Sequence, residues 1–192
     1  FSPLEDIQVL TPQRKGDLGV NALNESLQAA LNPPGKGKRE YKGTFSTFRE
    51  GDKVLQTRNN YDIEWERPGS PEKGMGIYNG DIGVIQKIDL AGGTMRVDFD
   101  GRQCDYTFDM ASELELAYAV TVHKSQGSEY SAVVLPVFGG YDKLYFRNLL
   151  YTAVTRARKL LIIVGSEARV YQMVDNNRKM LRYTGLKWFL RQ

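Results

Sequence analysis

Two unbroken apolar runs limit this chain most: Ala132-Val133-Val134-Leu135-Pro136-Val137 and Leu160-Leu161-Ile162-Ile163-Val164. Neither alternates apolar with polar residues, so neither suits a sheet with one face in water. A short continuous run rich in β-branched residues reads as a strand covered on both faces, as in a parallel sheet packed between helices. Asp6 to Thr11 and Tyr118 to Val122 add two further strand patterns. Val20, Leu23, Leu27, Ala30 and Leu31 recur at helical spacing. Asn32-Pro33-Pro34-Gly35 ends that helix, since proline cannot continue it and disfavours helix in the residue before. A second helix is expected over Tyr141 to Lys159, with Leu144, Leu149 and Val154 on its apolar side. A third is expected from a Ser166 cap to about Lys179. Strand, loop and helix in this order make an α/β domain.

The texture changes in the middle of the chain. From Phe48 to Asp109 helical periodicity gives way to short alternating runs at Lys53–Thr57, Ile82–Ile88, Thr94–Phe99 and Gln103–Phe108. Asn79-Gly80-Asp81, Ala91-Gly92-Gly93 and Asp100-Gly101 punctuate them, and Asp-Gly between alternating runs is a strong hairpin signal. A small β-barrel is expected here, inserted into the α/β domain. Arg67 to Gly76, with its prolines and glycines, reads as an exposed mobile loop. Gly35-Lys36-Gly37-Lys38-Arg39 reads as a solvated surface loop in preference to a phosphate contact.

The 192 residues are 41% hydrophobic and 26% charged, enough for one or two small cores. A net charge of +3 permits an anionic partner without requiring one. The single cysteine, Cys104, excludes an internal disulfide framework and fits a cytoplasmic setting. No apolar run approaches the roughly 18 residues of a membrane span. The start, Phe1-Ser2-Pro3-Leu4-Glu5-Asp6, has neither initiator methionine nor signal-like character, so a segment of a longer protein is expected. Trp188, Phe189 and Leu190 near the end are expected to pack on an apolar surface.

Chemistry concentrates in three places. Where the Tyr118–Val122 strand ends, Thr121-Val122-His123-Lys124-Ser125-Gln126-Gly127-Ser128-Glu129-Tyr130 offers hydroxyl, imidazole, ammonium, amide and carboxylate groups in quick succession. In open α/β sheets ligands bind on such loops. The second place is Arg14-Lys15-Gly16. The third is Tyr151-Thr152-Ala153-Val154-Thr155-Arg156-Ala157-Arg158, where cations near a helix C-terminus have an alternative role in complementing the helix dipole. One histidine and one cysteine do not make a metal set, and no metal site is expected.

Together these segments resemble the late motifs of superfamily 1 helicases. Thr-Val-His-Lys-Ser-Gln-Gly-Ser-Glu-Tyr is similar to motif V and Tyr-Thr-Ala-Val-Thr-Arg-Ala to motif VI. Leu-Thr-Pro-Gln-Arg-Lys-Gly with Leu-Gly-Val-Asn-Ala-Leu-Asn is similar to motif IV. Phe48–Val54, Arg58–Asp62 and Asn79–Gly83 resemble strings that the RecD-like ATP-dependent DNA helicases carry between motifs IV and V. One departure is the longer connection Ile63 to Tyr78.

The resemblance implies a second RecA-like motor domain, residues 1–47 and 113–192, with an inserted SH3-like β-barrel at 48–112. It implies ATP and Mg²⁺ as cofactors, held mainly by a first motor domain outside this chain, and single-stranded DNA and its junctions with duplex as partner. Arg156 is then the arginine finger. Arg14, Gly127 and Glu129 join it at ATP, and Thr121, His123, Lys124, Ser125 and Gln126 contact DNA. The phosphate-cradling pattern G-x-x-x-x-G-K-[ST] is absent from the sequence. The chain alone is therefore expected not to hydrolyse ATP, and 5′-to-3′ translocation is what the family implies. Alternatives are a stand-alone nucleic-acid-binding module, or a helicase subunit of a recombination nuclease or a conjugative relaxase.

Overall fold

The computed structural model describes residues 1–44, 46–138 and 144–177. Strand β1 (Ile7–Thr11) leads through a loop into helix α1 (Val20–Leu31). There follow β2 (Glu40–Lys42), β3 (Thr47–Arg49), β4 (Lys53–Gln56), β5 (Asn60–Glu66), β6 (Lys73–Ile77), β7 (Ile82–Asp89), β8 (Thr94–Phe99) and β9 (Arg102–Thr107). A 3₁₀ segment, Phe108–Glu113, joins β9 to β10 (Leu114–Leu116). The chain closes with β11 (Ala119–Thr121), β12 (Tyr130–Val137), α2 (Arg147–Val154), β13 (Ala157–Gly165) and α3 (Glu167–Asp175).

Four strands form a parallel sheet in the order β11-β1-β12-β13. β1 sits inside it, Val9 pairing with Ala119 on one side and Val134 on the other. Leu10, Val120, Val133 and Leu135 pack with Leu149, Leu150 and Ala153 of α2. The apolar run of β12 is buried except for the half-buried Val134, but that of β13 is not. Leu160, Ile162, Ile163 and Val164 are 37–42% exposed among the described residues. Among the described residues β13 is the outer strand of this sheet, paired with β12 alone. The expected second helix is shorter than its sequence signal: it spans Arg147–Val154, and Ala157 to Lys159 already belong to β13. Tyr141 to Lys143, the expected helix end at Lys179, and Trp188, Phe189 and Leu190 lie outside the described residues.

Seven antiparallel strands form the second unit, in the order β10-β4-β7-β8-β9-β5-β6, with the short β2–β3 pair beside them. Its core holds Phe48, Val54, Ile77, Ile85, Ile88, Met95, Val97, Phe99 and Tyr106. Phe99 pairs with Arg102 across Asp100-Gly101, whose φ angles of 55° and 79° are those a two-residue hairpin loop demands. The stretch expected to be a mobile loop is different. Lys73–Ile77 pairs with Asn60–Glu66, and only residues 67–72 form the turn, closed by Arg67 N–H donating to Glu72 O at 3.0 Å. Trp65 packs against Gly74, where a Cβ would come within 2.4 Å of the indole, so glycine here serves a strand contact.

Helix α1 departs most from its pattern. Val20 is buried, Leu23 and Leu27 are half-buried, and Ala30 and Leu31 are exposed. Its other buried residues are Asn24 and Gln28, with Asn32 at its C-cap continuing the same face. The neighbour they meet is backbone. Asn24 Nδ2 donates to Leu116 O at 2.8 Å and Ala119 O at 3.0 Å, and its Oδ1 accepts from Ala119 N–H at 2.8 Å. From β1, Gln8 Nε2 donates to Ala117 O at 3.0 Å and Tyr118 O at 3.1 Å. All four carbonyls of the buried passage from β10 to β11 are thus met by two side-chain amides.

The same face reaches Asp52, which is fully buried. Its carboxylate accepts from Gln28 Nε2 at 2.6 Å, Asn32 Nδ2 at 2.7 Å, Arg49 N–H at 2.7 Å and Tyr118 Oη–H at 2.7 Å. Burial raises the Asp52 pKa, and these hydrogen bonds oppose the rise only in part. Glu113 is pinned likewise by Gln56 at 2.9 Å, Arg58 at 2.6 Å and Asn60 at 3.0 Å. There burial alone would raise the pKa, but the hydrogen bonds from Arg58, Asn60 and Gln56 outweigh it and hold Glu113 below its ordinary value.

Asp52→Ala leaves four donors facing an apolar group, so a loss of about 3 kcal/mol in urea-unfolding free energy is expected. A loss under about 1 kcal/mol, the scale of an ordinary single hydrogen bond, would show that Asp52 does not hold α1 to the barrel. Glu113, with its lowered pKa, stabilises the fold above its ordinary value of 4.5 and loses that contribution as pH falls through the folded value. Glu113→Gln should therefore flatten the acid limb of stability against pH below about 4.5. An acid limb as steep as wild type would refute that role.

Candidate functional site

β11 ends at Thr121, and the chain from Val122 to Glu129 returns to the start of β12 as a series of tight turns. Ser125 N–H donates to Thr121 O at 3.1 Å, Gln126 N–H to His123 O at 3.3 Å and Ser128 N–H to Ser125 O at 3.1 Å. Thr121 Oγ1 accepts from Lys124 N–H at 3.2 Å. Ser125 Oγ–H donates to Val122 O at 2.7 Å and the residue is fully buried. Ser125, expected at DNA, thus turns its hydroxyl into the loop. His123, Gln126, Gly127 and Glu129 are exposed, while Thr121 and Lys124 are half-buried. Gly127 has φ +88°, and nothing lies within 4 Å of where a Cβ would stand, so its backbone is open to close approach.

The strand register places the two ends of this loop at opposite ends of the parallel sheet. Thr121 pairs with Thr11 where β1 and β11 finish, whereas Tyr130 pairs with Ala157 where β12 and β13 begin. The site residues fall into two groups accordingly.

At the beginning of β12 and β13 stands Arg156, one residue past the C-cap of α2. Its guanidinium donates to Ser128 O at 2.9 Å, Thr152 O at 3.2 Å and Thr155 Oγ1 at 3.2 Å. Its carbonyl accepts from Tyr130 N–H at 2.8 Å. All three acceptors, two carbonyls and a hydroxyl, are neutral, and among the described residues no carboxylate pairs with Arg156. Arg158 differs: it lies in β13, not on a helix, and Nε pairs with Glu129 Oε2 at 2.6 Å. Glu129, expected at ATP, is thus held by Arg158.

At the other end, Arg14 Nη2 meets Glu115 Oε1 at 2.7 Å, and Lys124 Nζ meets Glu115 Oε2 at 2.9 Å. Burial alone would raise the Glu115 pKa, but hydrogen bonds from Lys124 and Arg14 outweigh it and lower the value. Glu115 escaped the sequence reading because it lies about a hundred residues from Arg14 and belongs to no motif. The structure groups Arg14 with Lys124, not with Arg156. Among the described residues there is no cluster of His, Cys, Asp or Glu able to hold a metal, and no helix long and apolar enough to cross a membrane.

The model of the ATP-dependent RecD-like DNA helicase SH3 domain matches residues 23–99, and that of the UvrD-like helicase C-terminal domain matches residues 116–164. The chain is 39% identical over 180 residues to the ATP-dependent RecD2 DNA helicase of Deinococcus radiodurans, covering 94% of this chain and 23% of that protein. It is 30% identical over 191 residues to the RecBCD enzyme subunit RecD of Mycolicibacterium smegmatis, covering 100% of this chain and 30% of that protein. The chain thus spans under a third of the length of these relatives. Among solved structures, Bacteroides Pif1 bound to ssDNA superposes with a TM-score of 0.54 at 18% identity, covering 100% of this chain and 46% of that one. The Pif1 helicase of Candida albicans superposes with a TM-score of 0.52 at 15% identity, covering 100% and 50%. At such identities the likeness concerns the fold, a RecA-like parallel sheet accompanied by a small barrel.

Gly127→Ala tests the loop by itself. With open space around the new methyl, the cost is conformational, and a loss of about 1 kcal/mol in unfolding free energy is expected. An unchanged unfolding midpoint would show that the loop relaxes away from its left-handed backbone.

Proposed function

The chain belongs to the RecD-like helicases of superfamily 1, and from that premise we propose that it is the second motor domain of an ATP-dependent DNA helicase that translocates on single-stranded DNA and opens duplex. The expected bounds are 1–47 with 113–192 for the RecA-like unit and 48–112 for the inserted barrel, but β10 pairs with β4 and so goes with the barrel. The direction that goes with this reading is 5′-to-3′.

Arg156 carries the reading. Arg14, Lys124 and Arg158 each already face a carboxylate, whereas Arg156 is oriented by neutral acceptors and, among the described residues, pairs with no carboxylate. A guanidinium held in that way is suited to charge that appears elsewhere, on a phosphoryl group in transfer. Its bond to Ser128 O sets it on the same short loop segment as Gly127 and Glu129, and ATP would meet that segment and the guanidinium together. Arginine suits this place because its planar fork gives bidentate contacts to phosphate oxygens. Bound ATP and Mg²⁺ supply the phosphoryl chemistry, and no residue of this chain is assigned to the metal. The phosphate-cradling loop comes from another domain, since its sequence pattern is absent here.

At the far end of the loop, Thr121, His123, Lys124 and Gln126 are the contacts for the DNA backbone, which hydroxyl, amide and cationic groups hold without reading sequence. Ser125 acts there through the shape of the turn. Identity is higher to the ATP-dependent RecD2 DNA helicase than to the RecBCD subunit, and this favours the helicase reading over that of a recombination-nuclease subunit.

In the whole protein Arg156→Ala should lower ATP turnover by about 10³- to 10⁵-fold while single-stranded DNA affinity stays near wild type. Arg156→Lys should not restore turnover. Lost DNA affinity with ATPase retained would overturn the assignment, as would magnesium-dependent ATP turnover by the 192 residues alone.

A further inference from the structure

Glu115 holds two cations that come from distant loops. Its position is fixed: it lies in β10, opposite Leu55 of β4, between the buried Leu114 and Leu116. Arg14 and Lys124 belong to loops and reach it with long side chains, one to each carboxylate oxygen. Arg14, Glu115, Thr121 and Lys124 line one small cleft at the ends of β1 and β11. A wider groove opens beside it between α1 and the barrel, sharing Arg14 and Glu115 and lined by both polar residues (Asn21, Glu25) and apolar ones (Phe48, Ala111).

The arrangement is that of a phosphate site with the anion built in. A carboxylate and a phosphodiester each present anionic oxygens to a guanidinium and an ammonium. The three side chains together carry one net positive charge, so a phosphate approaching the cleft is attracted, yet it must draw the cations off Glu115 to bind them. The strand-bound carboxylate cannot follow, but the flexible cations can swing. We propose that Glu115 is a positioning residue that acts as an intramolecular competitor of the DNA phosphate, keeping Arg14 and Lys124 side by side as one clamp and moderating its grip on single-stranded DNA. Arg14 thereby joins the polynucleotide end of the site. A carboxylate that weakens the clamp makes it releasable, which a protein that steps along a strand requires. This inference rests on the reading of Lys124 as a DNA contact.

The test measures binding of a fluorescent oligothymidylate by the whole protein, without nucleotide, over a range of salt concentrations. Glu115→Gln keeps the shape and removes the charge, and should tighten binding about three- to tenfold at low salt. It should also steepen the dependence of log affinity on log salt by about 0.7, one further phosphate contact on a single strand. Lys124→Ala in the Glu115→Gln background should abolish most of the gain. A merely structural Glu115 would give equal or weaker binding and an unchanged salt slope, and that result overturns the proposal. Lys124→Ala alone separates the two ideas: if it leaves affinity unchanged, the DNA reading of Lys124 has failed. If it weakens binding while Glu115→Gln brings no gain, only the competitor role has failed. Glu115→Asp retains the charge and serves as the folding control, with binding no tighter than wild type.

Discussion

A chain that leaves one sheet and enters another must cross the gap without stranding a buried N–H or C=O, each of which would cost about 1–3 kcal/mol. Here the crossing is Leu116–Ala119, between the last strand of the barrel and the first strand of the returning parallel sheet, and all four residues are buried. Asn24 and Gln8 meet its carbonyls, one amide from each side. That requirement explains why α1 turns amides toward its neighbour and why Asp52, Asn32 and Gln28 continue the same seam. It also fixes where β11 emerges, and so where the loop bearing Lys124 begins.

Local signals were legible wherever the cause was local. Asp100-Gly101 predicts its hairpin because few residues adopt two successive positive φ angles. The β12 run predicts burial because its cover lies within the same unit. The α1 pattern misleads because periodicity counts apolar residues only. The deciding partners of Asn24, the carbonyls of Leu116 and Ala119, lie over ninety residues away. The β5–β6 hairpin was masked by Pro68, Gly69, Pro71 and Gly74, although Ile63 and Trp65 alternate with Asp62, Glu64 and Glu66 as a strand should. In β13 the apolar run was legible and its exposure was not, because cover is a property of neighbours.

The site divides in the same way. Motif spacing marks the loop and Arg156 but does not say which polar side chain faces outward. Ser125 and Gln126 are equally polar in sequence, yet a three-residue turn buries one hydroxyl and exposes the other residue's amide. Spacing is equally silent on ion pairing, which separates Arg156 from Arg14, Lys124 and Arg158.

The turns between β11 and β12 also have a mechanical side. Arg156 is bonded to Ser128 O, Ser128 N–H to Ser125 O, and Ser125 N–H to Thr121 O, the last residue of β11. The three links lie in series and span the sheet from one end to the other. The carbonyl that seats the Arg156 guanidinium therefore belongs to the same run of turns that starts at the end of β11 and carries Lys124.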